Sequence, residues 1–375
     1  MMDMPEHFHT GQGELRIDLN AISNNYLWLK SLAEPATCSA VVKANAYGLG
    51  LDQVAPALKN AGCQVFFIAT LAEGVRLRQL LADIDIYILN GLMPEQAALF
   101  TEFNLMPVLN DLAQVRAWVA HCRLNQQQYP AAIHLDTGMN RLGLSAKEVE
   151  ALLPNVGMLE AMQVKYWMSH LACSTESSNP MNAEQLTRFT ALLEQLPPAP
   201  ASLSNSAGIL LGKSYHFDLV RPGLALYGGN PWDQPAPLSP VVRLLAPILQ
   251  VREVKSPATI GYDATYKVEK PMRVAAIAAG YADGFGSFFS NRGYAMIDGE
   301  KAPFLGRVSM DSMMLDVTHI PVDKTRPGTR VELIGPQHTI NTGANTAGIL
   351  SYEMLTGLGA RYRKIYLEAS CHVRE

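Results

Sequence analysis

The chain has 375 residues, 48% of them hydrophobic and 17% charged, with 30 Lys and Arg against 34 Asp and Glu for a formal charge of −4. That balance argues against a nucleic-acid binder driven by phosphate contacts, and the apolar content excludes a disordered chain. The five cysteines (Cys38, Cys63, Cys122, Cys173 and Cys371) are odd in number and form no C-x-x-C pair, which excludes a simple disulfide framework and a zinc signature and points to a reducing compartment.

No apolar run is long enough to span a bilayer, and the N-terminal MMDMPEHFHTGQGE carries no apolar signal core. A cytoplasmic protein with a flexible tail over residues 1–13 is expected. From there on, short apolar runs alternate with amphipathic helices. The strand candidates are SAVVKA, QVFFIA, IDIYILN, LMPVLN, AAIHLD, VKYWMSHL, ASLSN and HFDLVRPG. Between them, Leu51, Val54, Ala55 and Leu58 share one helical face, as do Leu112, Val115, Val119 and Cys122 after an Asp111 N-cap, and Leu186, Phe189, Leu193 and Leu196. Strand–helix alternation predicts right-handed βαβ units, and eight strands in about 200 residues predict a (β/α)8 barrel. An open doubly wound sheet competes, but the first strand is not followed by its G-x-G-x-x-G turn.

The proline-rich stretch GNPWDQPAPLSP (229–240) reads as a linker, because proline removes amide donors and breaks both helix and central strand. Beyond it, VVRLLAPILQVREV, MRVAAIAAG, GYAMIDG, APFLGRVSM, MMLDV and RVELIG are short strands between Gly, Pro and Asp turns, with helical periodicity returning only near residue 344. The expected division is a barrel over 14–235 and a mostly β domain over 236–375.

A barrel places its chemistry at the C-terminal strand ends. The polar residues there are Lys43, Asp136 with Arg141, His170, Asn205 with Ser206, and Arg221 before Pro222 and Gly223. Lys43 closes an apolar strand; a lysine desolvated there has a lowered pKa suited to Schiff-base chemistry, and the alternative is a side chain whose stem lies along the strand end with its head in water. His170 follows aromatic residues and reads as a supporting, hydrogen-bonded histidine. Arg141 either binds an anionic group or pairs with Asp136. Asn205 and Ser206 either offer donors to a phosphate or cap a helix. In the second domain, Tyr262 and Tyr281 sit in small-residue turns, as bases near positive charge or as ordinary exposed turn residues. There is no metal-spaced cluster, nucleophile elbow or P-loop.

Taken in order, AVVKANAYGLG, DTGMNRLG, SHLA, SNSA, VRPGLALYG, GYDATY, GYADG, GRVSMD and SYEMLTGL span nearly the whole chain. Together they strongly resemble the bacterial alanine racemase family. The resemblance implies pyridoxal 5′-phosphate (PLP) as cofactor, a barrel plus β-domain, an amino-acid substrate and a head-to-tail homodimer whose active sites are each completed by the other subunit. Residue by residue, it implies that Lys43 carries the cofactor as a Schiff base and acts as one base, with Tyr262 from the other subunit as the second. Tyr47, Tyr352, Ser206 with its neighbour Asn205, and the amides of Gly223 and Leu224 match the phosphate cradle. Arg221 matches the arginine at the pyridine nitrogen, and His170 its support. Arg141 matches the contact to the cofactor's phenolic oxygen and the substrate carboxylate. Met310 matches a backbone contact to that carboxylate, and Tyr281 an entrance gate.

Three departures stand out. His134 occupies the place of a lysine that the family often carbamylates to orient the arginine, so Arg141 must be held by imidazole, Asp136 or an anion. Gly261 and Asp263 flank Tyr262 where Ser and Gly are common; Asp263 is expected in a solvent turn. Ser309 replaces a frequent cysteine, and Ser287 lies near a missing arginine, with Arg292 the nearest. Other readings are a same-fold racemase of serine or of broader range, and a non-catalytic PLP-binding protein, which the β-domain counts against. A decarboxylase of this fold group needs an acid at the ring nitrogen, which Arg221 opposes.

Overall fold

The computed structural model describes residues 12–232 and 234–368. Within them the chain forms two compact units: one comprises residues 22–226 and 230–238, the other residues up to 21, 227–229 and 239 onward.

In the first unit, nine short strands lie where the apolar runs predict them: β2 (Thr37–Cys38), β3 (Ala40–Val41), β4 (Val65–Ile68), β5 (Asp85–Ile88), β6 (Met106–Leu109), β7 (Pro130–His134), β8 (Gln163–Met168), β9 (Ala201–Ser202) and β10 (Leu219–Val220); β1 (Glu14–Asp18) precedes them in the chain and belongs to the second unit. All pairings from β3 through β9 are parallel, and β10 pairs in parallel with β2. A parallel bridge between Asn205 and Arg221 joins the β9 and β10 ends, and Ser39 N–H donates to Val220 carbonyl. With β2 and β3 as one interrupted strand, the ring closes as the expected eight-stranded barrel. β4 and β6 are buried at every position, the signature of strands covered on both faces.

The helices start where their caps predict. Asp111 accepts from Gln114 N–H (2.7 Å), and Thr70–Glu73 and Ser145–Glu148 form reciprocal capping boxes. The faces built on Leu51 and Leu112 are buried as expected. Helix Pro180–Leu193 is rotated from its expected face: Gln185 is fully buried there while Leu186 and Leu193 are only partly so. The proline-rich segment is also more than a linker. Trp232 donates its indole N–H to Ala207 carbonyl (3.0 Å) and packs edge-on to Trp28, anchoring residues 230–238 on the barrel.

The second unit contains β11 (Val242–Val254), β12 (Ala258–Ile260), β13 (Tyr266–Val268), β14 (Met272–Ile277), β15 (Tyr294–Ile297), β16 (Glu300–Leu305), β17 (Met313–Asp316), β18 (Arg330–Ile334) and β19 (Arg363–Leu367). The 13-residue β11 pairs with β18 through its first half and with β14 through its second, so β14-β17-β16-β15-β18-β11 closes into an antiparallel barrel. The change of partner falls at Pro247 and a bulge beyond Ile248, where a missing amide donor is tolerated. β1 pairs with β11 and β19, so residues 14–18 belong to the β-unit and not to the barrel as the sequence suggested. Gly13 is buried and its carbonyl accepts from Arg363, so it is not part of a loose tail; residues 1–11 lie outside the described residues. Two helices, Ile340–Ala347 and Ser351–Thr356, precede β19 where a single terminal helix is expected. Among the described residues no helix is long and apolar enough to cross a membrane.

Candidate active site

Lys43 follows β3 and opens a turn of opposite hand to an α-helix. Ala44, Asn45, Ala46 and Tyr47 all have φ between 53° and 55°. Four non-glycine residues in this region are each strained by about 1–2 kcal/mol, the kind of strain that persists only where surrounding contacts impose it. Those contacts are present: Ala44 N–H donates to Glu73 Oε1 (2.7 Å), Asn45 Oδ1 accepts from Leu51 N–H (2.8 Å), and Gly48 N–H closes on Ala44 carbonyl (2.8 Å). Burial, and then the charge of Arg141, lower the Lys43 pKa, with Glu73 opposing. The amine is therefore biased toward its neutral, nucleophilic form.

Arg221 is 4% exposed and has no carboxylate against it. Its Nη2 donates to the carbonyls of Ser169 (2.5 Å) and Leu203 (3.3 Å) and to His170 Nδ1 (3.4 Å), and its Nη1 to Ser202 Oγ. Burial pushes its pKa down to about 9, which still leaves a cation at neutral pH. His170 sits well below the usual imidazole range, through burial first and then the charges of Arg221, Arg141, His134 and Lys43. One imidazole thus feels all four groups, so Lys43, His134, Arg141 and Arg221 share one barrel mouth. Gln185 braces it, donating to His170 carbonyl (2.9 Å) and Thr137 Oγ1 (3.2 Å).

Below Arg221, Ser206 is buried and its Oγ accepts from the amides of Gly223 (2.8 Å) and Ala225 (3.3 Å). The Leu224 amide opens the turn Leu224–Tyr227, where no acceptor exists within the turn itself. Gly223 has no side chain for a direct reason: a Cβ there would stand 2.3 Å from Tyr47 Oη. Tyr47 hydroxyl, Ser206 hydroxyl and the 223–225 amides so converge. Asn205 serves as a cap: its Oδ1 accepts from Gly208 N–H (2.9 Å) and Ser174 Oγ (2.9 Å).

His134, where the resemblance implies a carbamylated lysine, is a neutral side chain. Asn110 Nδ2 donates to Leu89 carbonyl (2.9 Å), which turns Oδ1 toward His134 Nδ1 (2.9 Å). Nδ1 must then carry the proton, leaving Nε2 as an acceptor. Burial, followed by Arg221, pushes the His134 pKa down to about 4. Asp136 is occupied by its own loop, accepting from Gly138 (2.9 Å) and Asn140 (3.1 Å) amides, and Arg141 forms no ion pair among the described residues. The arginine loop is tied instead by Gly143 N–H to Asn110 carbonyl and Leu144 N–H to His134 carbonyl.

The remaining candidates belong to the β-unit. Tyr262, Tyr281 and Met310 are 69%, 48% and 52% exposed, and the turns of the last two adjoin: Tyr281 and Ala282 amides donate to Ser309 and Met310 carbonyls. Gly261 stands at φ 78°, which disfavours any residue with a side chain, and Asp263 faces solvent while pairing with Arg307 (2.9 Å). Tyr352 lies on helix Ser351–Thr356, and burial raises its pKa. Ser287 starts a short turn and Arg292 follows it. Cys38, Cys63, Cys122 and Cys173 are free thiols, and Cys371 lies outside the described residues. Sequence reasoning missed Ser202, Asn110, Glu73 and Gln185. Nothing in the local sequence around these four residues singles them out from ordinary strand-end or helix positions.

A desolvated lysine, a buried carboxylate-free arginine and a serine–tyrosine–amide cluster at one barrel mouth define a barrel protein whose site suits an anionic ligand beside a nucleophilic amine. The comparisons make that class specific. The alanine racemase N-terminal domain model matches residues 17–231 and the alanine racemase C-terminal domain model residues 241–366. The alanine racemase of Brucella abortus is 45% identical over 370 residues, covering 95% of this chain and 93% of the other. A protein of Mesorhizobium japonicum named "Alanine racemase, catabolic" is 46% identical over 355 residues, covering 94% and 93%. A crystal structure of alanine racemase from Bartonella henselae with covalently bound pyridoxal phosphate superposes with a TM-score of 0.93 at 39% identity, covering 95% and 99%. The chain belongs to the alanine racemase family.

Proposed function

We propose that this protein is a PLP-dependent alanine racemase, working as a cytoplasmic homodimer in which Lys43 of one copy and Tyr262 of the other are the two bases. The observation that carries the reading is the pairing of a desolvated Lys43 amine with a buried Arg221 that meets only neutral acceptors.

The residues fit PLP. Lys43 would supply the amine that holds it; the Tyr47 and Ser206 hydroxyls and the Leu224 amide would donate to its phosphate where Gly223 leaves room, with Tyr352 as the further ligand implied by the family. Arg221 is the partner for the ring nitrogen. PLP held there would supply an electron sink for the pair left at Cα as the proton leaves. Racemisation needs a proton acceptor on each face of Cα. Lys43, kept toward its neutral form, takes or returns the proton on the D face. Tyr262 does so on the L face; its exposure on one copy matches a side chain supplied to a second copy. His170 and Ser202 hold the Arg221 fork. Because an arginine does not readily give up a proton, Arg221 withholds one from the ring and limits side reactions. Arg141 and the Met310 backbone amide hold the substrate carboxylate, and Tyr281 gates access.

Tyr262→Phe should retain PLP absorbance while racemisation falls by roughly 10²–10⁴-fold. Exchange of the D-alanine α-hydrogen with solvent deuterium should persist through Lys43. Loss of PLP, or racemisation at the wild-type rate, refutes the two-base assignment. A panel of amino acids on the same preparation separates alanine from serine or broader substrates.

A further inference from the structure

Arg361 lies outside every residue assigned above, yet it joins two of the turns that carry them. Its Nε and Nη2 grip both oxygens of Asp283 (2.8 and 2.7 Å), and its Nη1 reaches Asp311 Oδ1 (2.6 Å). Asp283 is two residues beyond Tyr281; Asp311 directly follows Met310. The Asp283 carboxylate is nearly buried and also accepts from Gly280 N–H (2.9 Å). The backbones beneath are equally tight. Gly280 meets the 309–310 segment so closely that a Cβ would stand 2.3 Å from Ser309 carbonyl oxygen and 2.4 Å from that of Met310. Gly359 N–H donates to Asp283 carbonyl (3.2 Å). Segments 280–284, 309–311 and 357–361 thus meet at one guanidinium.

We infer that Arg361 is a positioning residue that fixes the Tyr281 and Met310 turns in register, and through them sets substrate affinity and side-chain discrimination. This rests on the reading that Tyr281 gates the site and Met310 contacts the substrate carboxylate. The Met310 carbonyl is taken by Ala282 N–H (3.1 Å), which leaves its own amide as the polar group offered to a carboxylate. A planar fork gripping one carboxylate with two donors while a third reaches another is a geometry lysine cannot copy. Removing it leaves the Asp283 carboxylate buried without its cation, so the 280–284 turn must rearrange. Tyr262 is held separately, by the Asp263–Arg307 pair and its own turn, so the proton-transfer groups keep their places.

The test uses the full chain loaded with PLP. Arg361→Gln, Arg361→Lys and Asp311→Asn are compared with wild type for alanine KM and kcat in both directions, the alanine-to-serine ratio of kcat/KM, PLP absorbance and circular dichroism. Arg361→Gln should raise KM roughly 10- to 100-fold, as expected for a misplaced binding group, while kcat changes about threefold or less and the alanine-to-serine ratio drops. Arg361→Lys should fall between. Asp311→Asn, which removes only the exposed arm, should raise KM by a smaller factor in the same direction, and it decides the matter together with Arg361→Lys if Arg361→Gln does not fold. Folded, PLP-loaded variants with wild-type KM and discrimination, or with loss confined to kcat, overturn this inference alone. A wild-type chain that does not racemise alanine overturns the underlying reading and this inference with it.

Discussion

Gly223→Ala isolates the phosphate cradle. Gly223 is not in the left-handed region, so alanine costs nothing in backbone strain there, and the whole effect comes from the added methyl. That methyl would stand 2.3 Å from Tyr47 Oη and 3.0 Å from its Cζ, against about 3.4 Å for an ordinary contact, with Val41 Cβ already at 3.5 Å on another side. The methyl cannot retreat, because Gly223 N–H is fixed to Ser206 Oγ. Tyr47 must therefore yield by about 1 Å, which takes its hydroxyl out of hydrogen-bond range of a phosphate oxygen. A hydrogen bond to a charged group is worth roughly 1.5–3 kcal/mol, so PLP should bind about 10- to 150-fold more weakly. The assay is a titration of resolved apoprotein with PLP, followed by absorbance, in four proteins: wild type, Gly223→Ala, Tyr47→Phe and the double variant. Tyr47→Phe removes the hydroxyl that collides, so Gly223→Ala should cost far less on that background. An equal penalty on both backgrounds would show that the methyl acts elsewhere and would refute the cradle geometry.

Two further outcomes follow from the buried groups. His134 titrates near 4 in the folded chain and near 6.5 when unfolded, so the unfolded state binds the extra proton between those values. Stability is full above pH 6.5 and is lost as pH falls toward 4, by about 3 kcal/mol for this group; His134→Gln should flatten that part of a urea-denaturation profile, and an unchanged slope would contradict the neutral imidazole. Arg221→Glu removes the donors to Ser169 and Leu203 carbonyls and places at the ring nitrogen a carboxyl whose pKa burial raises. Pyruvate formed per racemisation event should increase, and an unchanged ratio would show that arginine does not suppress side reactions.

Much of the site was legible because barrels align chemistry with strand ends. Lys43, Arg141, His170 and Arg221 each follow or end an apolar run, and the charges of Lys43, Arg141 and Arg221 all act on the His170 imidazole. What was not legible is what holds them. Nothing local marks Ser202 or Asn110, because a hydrogen bond from Arg221 to Ser202 spans 19 residues and that from His134 to Asn110 spans 24. The face built on Leu186 and Leu193 was read from apolarity, which passes over Gln185, a glutamine buried by satisfying Thr137 and His170.

By itself the sequence determined the alternation of strand and helix, the barrel, the β-rich second half and the motif residues, since hydrophobic period, caps and turn residues act over a few positions. Tertiary structure alone decided the assignment of residues 14–18 to the β-unit, where β1 finds open edges on β11 and β19. It also decided the anchoring of the 230–238 segment by Trp232 and the junction of three loops at Arg361. Each depends on partners far apart in the chain, and a pairing rule that reads neighbours has no access to them.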